Sequence, residues 1–516
     1  MIRQPEKYYL DIGRATDLKE KKERIIYRAL EILPGSLIWL TFSGMIIFSI
    51  FWPKTAAYFI IVFSAWWIFR ACHFSIHLIS AYLKMKKNLR TAWVEKLDKL
   101  AGKNWQEIYH LIIFPTYKEN LEVIRESFRA LISSRYPKER MIVVLATEER
   151  EGEFAKQKAR AILQEFGDKF FKLLITCHPE RIEGEIAGKG SNTSWAGRKV
   201  KEKIIDPLEI PYEKIIVSCF DADTQVFPDY FGCLTYYYLI SSRPGQTSFQ
   251  PIPLYLNNFW QANFFSRLVA SGNVFWQMMQ QQRPEKLVTF SSHSMSFKAL
   301  VEMDFWQKNV VSEDAGIFWK AFLFYDGNYK IIPLHYPVSM DCVAGKTLKQ
   351  AIISQYKQQR RWAFGSEGIP YLLFGFLKNK KIPWPKKFRY GFLMLEGFWA
   401  WGTTAFLLLF LGRLPGLLGG EKFKDTVLAY NLPDIASNLM TLAMIGLIVC
   451  IIISTLLLTP RPKNYPRWKS LSMIAQWLFF PVTFIFFGAL PSIEAQTRLM
   501  LGKYMGFYAV EKTRDF

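Results

Sequence analysis

The sequence predicts an α/β domain with a mostly parallel sheet, held between two groups of membrane-spanning helices. Three observations lead there. Half of the 516 residues are hydrophobic and 16% aromatic, yet 21% are charged, a mixture that fits membrane helices joined to a water-facing domain. Long apolar stretches cluster at residues 36–69 and again beyond 385. Between them, residues 104–362 alternate short Ile/Val/Leu-rich runs with polar segments of helical spacing, as strands joined by crossover helices do.

The elements follow in order. Residues 1–35 form a charged N-terminal segment, "MIRQPEK" through "DLKEKKER", with no apolar run ending in a small-residue cleavage site, so no cleaved signal peptide is expected. "SLIWLTFSGMIIFSIFW" (36–52) and "AAYFIIVFSAWWIF" (56–69) come next, and Pro53-Lys54 between them suits a tight turn. With their flanks each approaches the roughly 20 residues of a crossing. Lys and Arg crowd both outer flanks, which assigns those flanks to the cytoplasmic side and makes 36–84 a hairpin.

The cytosolic block, 85–364, carries "EIYHLIIFPTYKE", "RMIVVLATEERE", "FKLLITCHPE" and "KIIVSCFDADT" as strands. Leu121, Ile124, Phe128 and Leu131 mark a helix between the first two. The ligand crevice of such a sheet lies beyond the carboxyl ends of its strands. Residues 365–384, with "GSEGIPYLLFGFLKNKK", read as a headgroup-level helix and linker; "NNFWQANFFSRLVASGNVFWQMM" (257–279) is either another such helix or a core helix beside the sheet. About three spans fill 385–492, one of them open to being re-entrant, and a mildly basic tail takes 493–516.

A net charge of +22 suits anionic lipid, an anionic substrate or nucleic acid. Beside membrane spans the lipid bilayer is the expected partner, and nucleic acid is not. The six cysteines, Cys72, Cys177, Cys219, Cys233, Cys342 and Cys450, show no Cys-x-x-Cys spacing and read as small buried hydrophobes in a reducing compartment.

Three acidic or basic constellations could carry chemistry. "FDADTQ" ends a strand on Asp221 and Asp223, hard oxygen donors that can hold Mg²⁺ or Mn²⁺ against a diphosphate. Alone the pair is weak evidence, because solvated strand-end aspartates are commoner than metal sites. "VVSEDAGIFWKA" sets Ser312, Glu313 and Asp314 before an apolar helix, where a carboxylate serves either as a cap or as a general base. "QYKQQRRWAFG" contains Gln358-x-x-Arg361-Trp362; the arginine can pair with a diphosphate and the indole can face a sugar ring, or the cluster can anchor headgroups.

In this order the stretches resemble the membrane-integrated family 2 glycosyltransferases, over about residues 104–365. "FPTYKEN" looks like the family's first-strand motif, which implies that Pro115, Tyr117 and Glu119 open the nucleotide site. "GEIAGKGSNTSWA" resembles its Lys-x-x-x-Asn stretch, which puts Lys189 and Asn192 near the nucleotide. The acidic Gly-Ser motif after the second strand is replaced by "ATEERE", where Glu148 or Glu149 stands in, leaving UDP and GDP both open. The resemblance implies a GT-A-like domain with Asp221 at the donor, Asp221 and Asp223 on the metal, and Asp314 as catalytic base of an inverting transfer. It also implies that Glu313, His293, Gln358, Arg361 and Trp362 serve the acceptor and diphosphate. The expected partners are a nucleotide-sugar donor and a carbohydrate or lipid-linked acceptor, the latter either a polysaccharide being extended, as in processive synthases, or a membrane lipid receiving one sugar.

His73 and His77, one helical turn apart, read as packing residues, and His335 as structural; Glu396 is costly in lipid and is either functional or interfacial. A transporter with a cytosolic binding module is the competing class, disfavoured because the ordered motifs all lie in the cytosolic block.

Overall fold

The computed structural model describes residues 5–508; the outermost parts of the expected N-terminal segment and tail, 1–4 and 509–516, lie outside the described residues. Two long helices open the chain, α1 (Lys21–Phe51) and α2 (Pro53–Leu89). Pro53 fits the first turn of α2, where its missing N–H costs no hydrogen bond, so the break falls there. The first half of the α/β domain then alternates β1 (Tyr109–Pro115), α3 (Leu121–Ile132), β2 (Met141–Glu148), α4 (Glu153–Phe166), β3 (Lys172–His178), α5 (Lys189–Val200) and β4 (Ile215–Cys219). Asn120 caps α3 by accepting the Glu122 N–H at 3.1 Å, and Val123, Ile124, Phe128 and Leu131 are buried beneath it.

The second half departs from the expected parallel sheet. It runs β5 (Gln225–Val226), α6 (Tyr230–Ile240), β6 (Thr247–Leu254), α7 (Phe264–Gln281), β7 (Ser294–Ser296), α8 (Glu313–Phe324) and β8 (Lys330–Ser339). The eight strands lie in the order β3-β2-β1-β4-β7-β6-β8-β5. β3, β2, β1 and β4 pair in parallel, β7 runs antiparallel to both β4 and β6, β6 and β8 are parallel, and β5 is antiparallel to β8. The sheet is therefore mixed, which corrects the mostly parallel expectation. The cause is local: apolar strand–helix alternation stops at β4, and "TSFQPIPL" (β6) holds two prolines and no apolar run. The three-residue β7 then enters between β4 and β6 in the reverse sense.

Helices α9 (Leu348–Ala363) and α10 (Gly368–Lys378) lead away from the sheet. The stretch expected at headgroup level is α10, and its Tyr371, Leu372 and Phe374 are buried in one core with Phe318 and Phe322 of α8. After it come α11 (Trp384–Leu409), α12 (Val427–Leu457) and an interrupted apolar segment, Trp468–Met500, that ends in α13 (Leu490–Met500). With α1 and α2 these make five helical stretches long and apolar enough to cross a membrane by length and composition. The interrupted one packs at both ends on the α/β domain. Gln476 accepts from Arg267 Nε of α7 at 2.8 Å, and Glu494 binds Arg360 of α9 at 2.6 Å.

Candidate active site

The site gathers at the carboxyl end of β4, where the parallel half meets the inserted β7. The chain leaves β4 still tied to both neighbours, Phe220 N–H to Ile113 O at 3.0 Å and Cys219 N–H to His293 O at 3.0 Å. The turn that follows closes through Thr224 N–H to Asp221 O at 2.9 Å. It leaves the Asp221 side chain a quarter exposed, whereas Asp223 is fully buried and its Oδ2 accepts the Asp341 N–H at 2.8 Å. Asn257 braces the turn by donating both to Asp223 O and to Asp341 Oδ1, at 2.9 and 3.0 Å.

Lys189, first residue of α5, joins two of the sequence constellations. Its Nζ lies 2.7 Å from Asp221 Oδ1 and 2.9 and 2.7 Å from the two oxygens of Asp314. Burial alone would lower this ammonium's pKa; Asp221 and Asp314 outweigh it and hold the group well above the usual lysine range. Asp314 and Glu313 occupy the first turn of α8, and its cap Ser312 makes no side-chain capping bond. Instead Glu367 Oε1, from the turn after α9, accepts the Val311 and Ser312 N–H groups at 2.7 and 2.8 Å. Burial pushes the Glu367 carboxyl up to about 7, against the pull of those two donors.

Glu313 is buried 3.9 Å from Lys189 Nζ. Burial, and then the neighbouring Asp314 charge, push its carboxyl up to about 8, with Lys189 and Arg361 opposing. His293 is fully buried beside Asp314, its Nδ1 3.6 Å from Oδ1. Trp306 Nε1 donates to His293 Nε2 at 3.4 Å, so the ring proton sits on Nδ1, which faces Phe290 O at 3.0 Å. Burial lowers the His293 pKa, which keeps this neutral tautomer.

The first-strand residues line the neighbouring rim. Pro115 closes β1 opposite Ala146 of β2, Tyr117 N–H donates to Glu119 Oε2 at 2.5 Å, and Arg150 stacks 3.8 Å over the Tyr117 ring. Glu149 accepts the Glu180 N–H at 2.9 Å, and Glu148 pairs with Arg150. Asn192 donates to Ala146 O at 2.8 Å, at the end of β2. On α9, Gln358 accepts from Gln355 at 3.4 Å, half-buried Trp362 lies one turn further on, and Arg361 is close enough to Glu313 and Tyr255 to act on both electrostatically.

Four residues that sequence reasoning did not single out complete the site. Tyr255 lies just past β6, and burial followed by Asp221 and Asp223 raises its hydroxyl pKa. Asp341 sits against Asp223, Glu367 holds the Asp314 turn, and Glu151 carries the loop after β1. Glu151 Oε1 accepts the Lys118 N–H at 2.6 Å and pairs with buried Lys158 at 2.6 Å. Their only sequence signal was position just beyond a strand or helix end.

Carboxylate oxygens of the Asp221–Asp223 turn are the right donors for a hard divalent cation. Among the described residues no three His, Cys, Asp or Glu side chains converge as a metal cluster. Asp221, a quarter exposed, presents the kind of oxygen donor that a Mg²⁺-like ion takes when one or two carboxylates hold it and phosphate and water complete its shell. His73 and His77 pack with ring centroids 4.0 Å apart and planes tilted by 44°, and the His335 N–H donates to Gln281 Oε1 at 2.9 Å. The six cysteines are unpaired thiols; Cys219, Cys233 and Cys342 are buried, whereas Cys72 and Cys177 are exposed, which corrects the expectation that all six are buried.

The mannosyltransferase PcManGT from Pyrobaculum calidifontis, solved with GDP-Man and Mn²⁺, is similar at a TM-score of 0.39 and 15% identity, over 83% of this chain and 99% of that one. S. aureus TarS 1-349 in complex with UDP gives 0.35 and 12%, over 65% and 90%. GalNAc-T7 with UDP, GalNAc and Mn²⁺ gives 0.31 and 12%, over 56% of each chain. No curated protein matches the sequence. The sequence model of the family described as "Glycosyl transferase family group 2" matches residues 216–487, from β4 and its acidic turn through the later apolar helices. That match spans more than half of the chain, and the protein belongs to glycosyl transferase family group 2.

Proposed function

We propose that the protein transfers a sugar from a nucleotide-sugar donor, UDP- or GDP-linked, to a growing polysaccharide or membrane-bound acceptor, with inversion at the anomeric carbon. The observation that carries this is the Lys189 ammonium, which binds Asp221 of the acidic turn and Asp314 of α8 at once. Two carboxylates far apart in sequence thereby share one cleft, with Arg361 on its flank.

Asp221 and Asp223 would hold Mg²⁺ or Mn²⁺, which when bound neutralises diphosphate charge. Asp314 takes the acceptor hydroxyl proton as that oxygen forms its bond to the anomeric carbon. The bond from that carbon to the diphosphate breaks with its electron pair leaving on the diphosphate, which Arg361 stabilises. Lys189 orients Asp314 by donating to both of its oxygens, and Glu367 fixes the turn that carries it. Neutral His293 backs the Asp314 carboxylate without a competing charge. Pro115, Tyr117, Glu119 and Glu149 border the nucleotide, and Glu313, Gln358 and Trp362 the acceptor.

Four of the apolar helices, α1, α2, α11 and α12, cross the bilayer in this reading. The interrupted segment 468–500 lies along the cytoplasmic interface, because both of its ends rest on the α/β domain. Screening nucleotide sugars for release of nucleoside diphosphate, with Mn²⁺ and with EDTA, tests the reaction. Metal-dependent release from one donor is expected, and release from none sinks the reading. Product length then separates a polysaccharide from a singly glycosylated acceptor.

A further inference from the structure

The chain beyond α13 has no part in the mechanism above, yet it is fastened onto the site. Gly502, at φ +69°, turns the backbone in a conformation that favours glycine, and residues 503–508 run back as a strap. Arg28 of α1 donates to Leu499 O at 2.9 Å, satisfying the end of α13. The Tyr504 hydroxyl meets both oxygens of buried Glu31, at 2.9 and 2.8 Å, and Met505 is buried in one cluster with Val311, Ala363 and Phe364.

The strap ends on α9. Arg361 Cζ lies 4.6 Å from the Phe507 ring centroid and Lys357 Nζ 5.0 Å from that of Tyr508. The two cations are one helical turn apart, so consecutive aromatics cover consecutive cations on one face. Phe507 also leans on Gly188, immediately before Lys189: a Cβ there would come within 2.6 Å of Phe507 Cβ and 2.7 Å of its Cγ. Gly188 has an extended φ of 170°, so it is Phe507, and not the backbone angle, that requires the glycine.

Arg360, its neighbour, binds Glu494 through Nη1, and the buried Nε atoms of Arg360 and Arg361 both lack a hydrogen-bond partner among the described residues. What holds the Arg361 guanidinium is an aromatic face. A guanidinium grips phosphate through N–H groups in its own plane and accepts an aromatic ring on its face, so the two contacts are compatible. We infer that Phe507 is a positioning residue for the proposed transfer: by stacking on Arg361 it fixes the plane in which that side chain meets the diphosphate. The inference rests on the reading of Arg361 as the diphosphate ligand.

The test uses the full chain in detergent with Mn²⁺ and compares inhibition constants of GDP and UDP with those of guanosine and uridine. Phe507→Leu, which keeps the apolar volume but not the π face, should weaken nucleoside diphosphate binding roughly tenfold and leave nucleoside binding unchanged. Phe507→Trp should restore it to within about threefold of wild type, since Trp gives the strongest cation–π contact. Gly188→Ala, which must push Phe507 aside, should reproduce the Leu phenotype, and the double variant should lose no more than either single one. Equal loss for diphosphate and nucleoside, or no loss in Phe507→Leu, overturns the inference while leaving the reaction assignment standing. A wild-type protein that binds neither diphosphate overturns the assignment and this inference together.

Discussion

Asp314 faces one ammonium with both oxygens, and this sets what its replacement should do. Asp314→Asn keeps the size and one acceptor but cannot take a proton; transfer should fall by about 10²–10⁴-fold with donor binding retained, measured as diphosphate release under saturating donor. Unchanged turnover would remove the base assignment. Two nearby carboxyls control pH dependence instead. Glu367 is pushed up to about 7 and Glu313 to about 8, both above the ordinary glutamate value of 4.5 and both chiefly by burial. A carboxyl raised on folding favours the protonated native state. Its contribution is therefore full below about 4.5 and is lost as pH rises through the folded value. Thermal midpoints should fall between pH 5 and pH 8. Glu367→Gln, whose amide oxygen can still accept from Val311 and Ser312, should flatten that fall; an unchanged slope would mean that Glu367 ionises freely in the native state. Lys189, Asp221, Asp223, Glu313, Asp314 and Arg361 were legible in the sequence because each lies in a short motif of chemically distinctive residues. Glu367 and Phe507 were not, since each acts on a residue more than fifty or a hundred positions away and neither sits in such a motif.

At the scale of elements, the parallel half of the sheet was readable because its strands are short apolar runs, buried end to end in β2 and β4, and because β1 and β2 lead into amphipathic helices. The mixed half was hidden by its own chemistry: β7 is three residues of Ser-Met-Ser, and β6 carries Pro251 and Pro253, so neither shows the periodicity of a strand. The loop after β1 is held by an ion pair of the same hidden kind. Lys158 of α4 and Glu151 are 1% and 2% exposed and 2.6 Å apart, and Glu151 also receives the Lys118 N–H. Lys118 sits at φ +67°, a left-handed conformation that the loop must hold in place. Glu151→Ala strands a buried ammonium and should destabilise the fold by about 3–5 kcal/mol, read from denaturant unfolding of the detergent-solubilised protein. Replacing Lys158 by Met together with Glu151 by Leu should recover much of it. A loss below about 1 kcal/mol for the single variant would show that water reaches the pair.

For the whole molecule, the four crossings proposed above would put residues 5–20, the α/β domain and the strap on one side of the bilayer. Single cysteines at exposed Lys203 and Lys503, with native Cys72 and Cys177 replaced, should react with an impermeant thiol reagent from the same side, and one at exposed Lys422, between α11 and α12, from the other. Labelling of position 503 together with 422 would restore a fifth crossing. Length and composition leave segment 468–500 as apolar as a span; its 3-10 stretch at Gln476–Phe479, its π-helical stretch at Phe484–Ala489 and its two anchors on the domain, which motivate the four-crossing proposal, appear only in three dimensions.

The meeting of Glu31 with Tyr504 has a consequence for how the molecule is made. The two residues are 473 positions apart, and they join the first long helix to the strap that closes over Arg361. During synthesis α1 leaves the ribosome long before its partner exists, and its buried carboxylate has only Arg28 and the Ala15 N–H for company. Contacts of such long sequence separation form late. Arg361, the proposed diphosphate ligand, is thus finished last, and a nascent chain that has folded its sheet still lacks the ring that lies against this side chain.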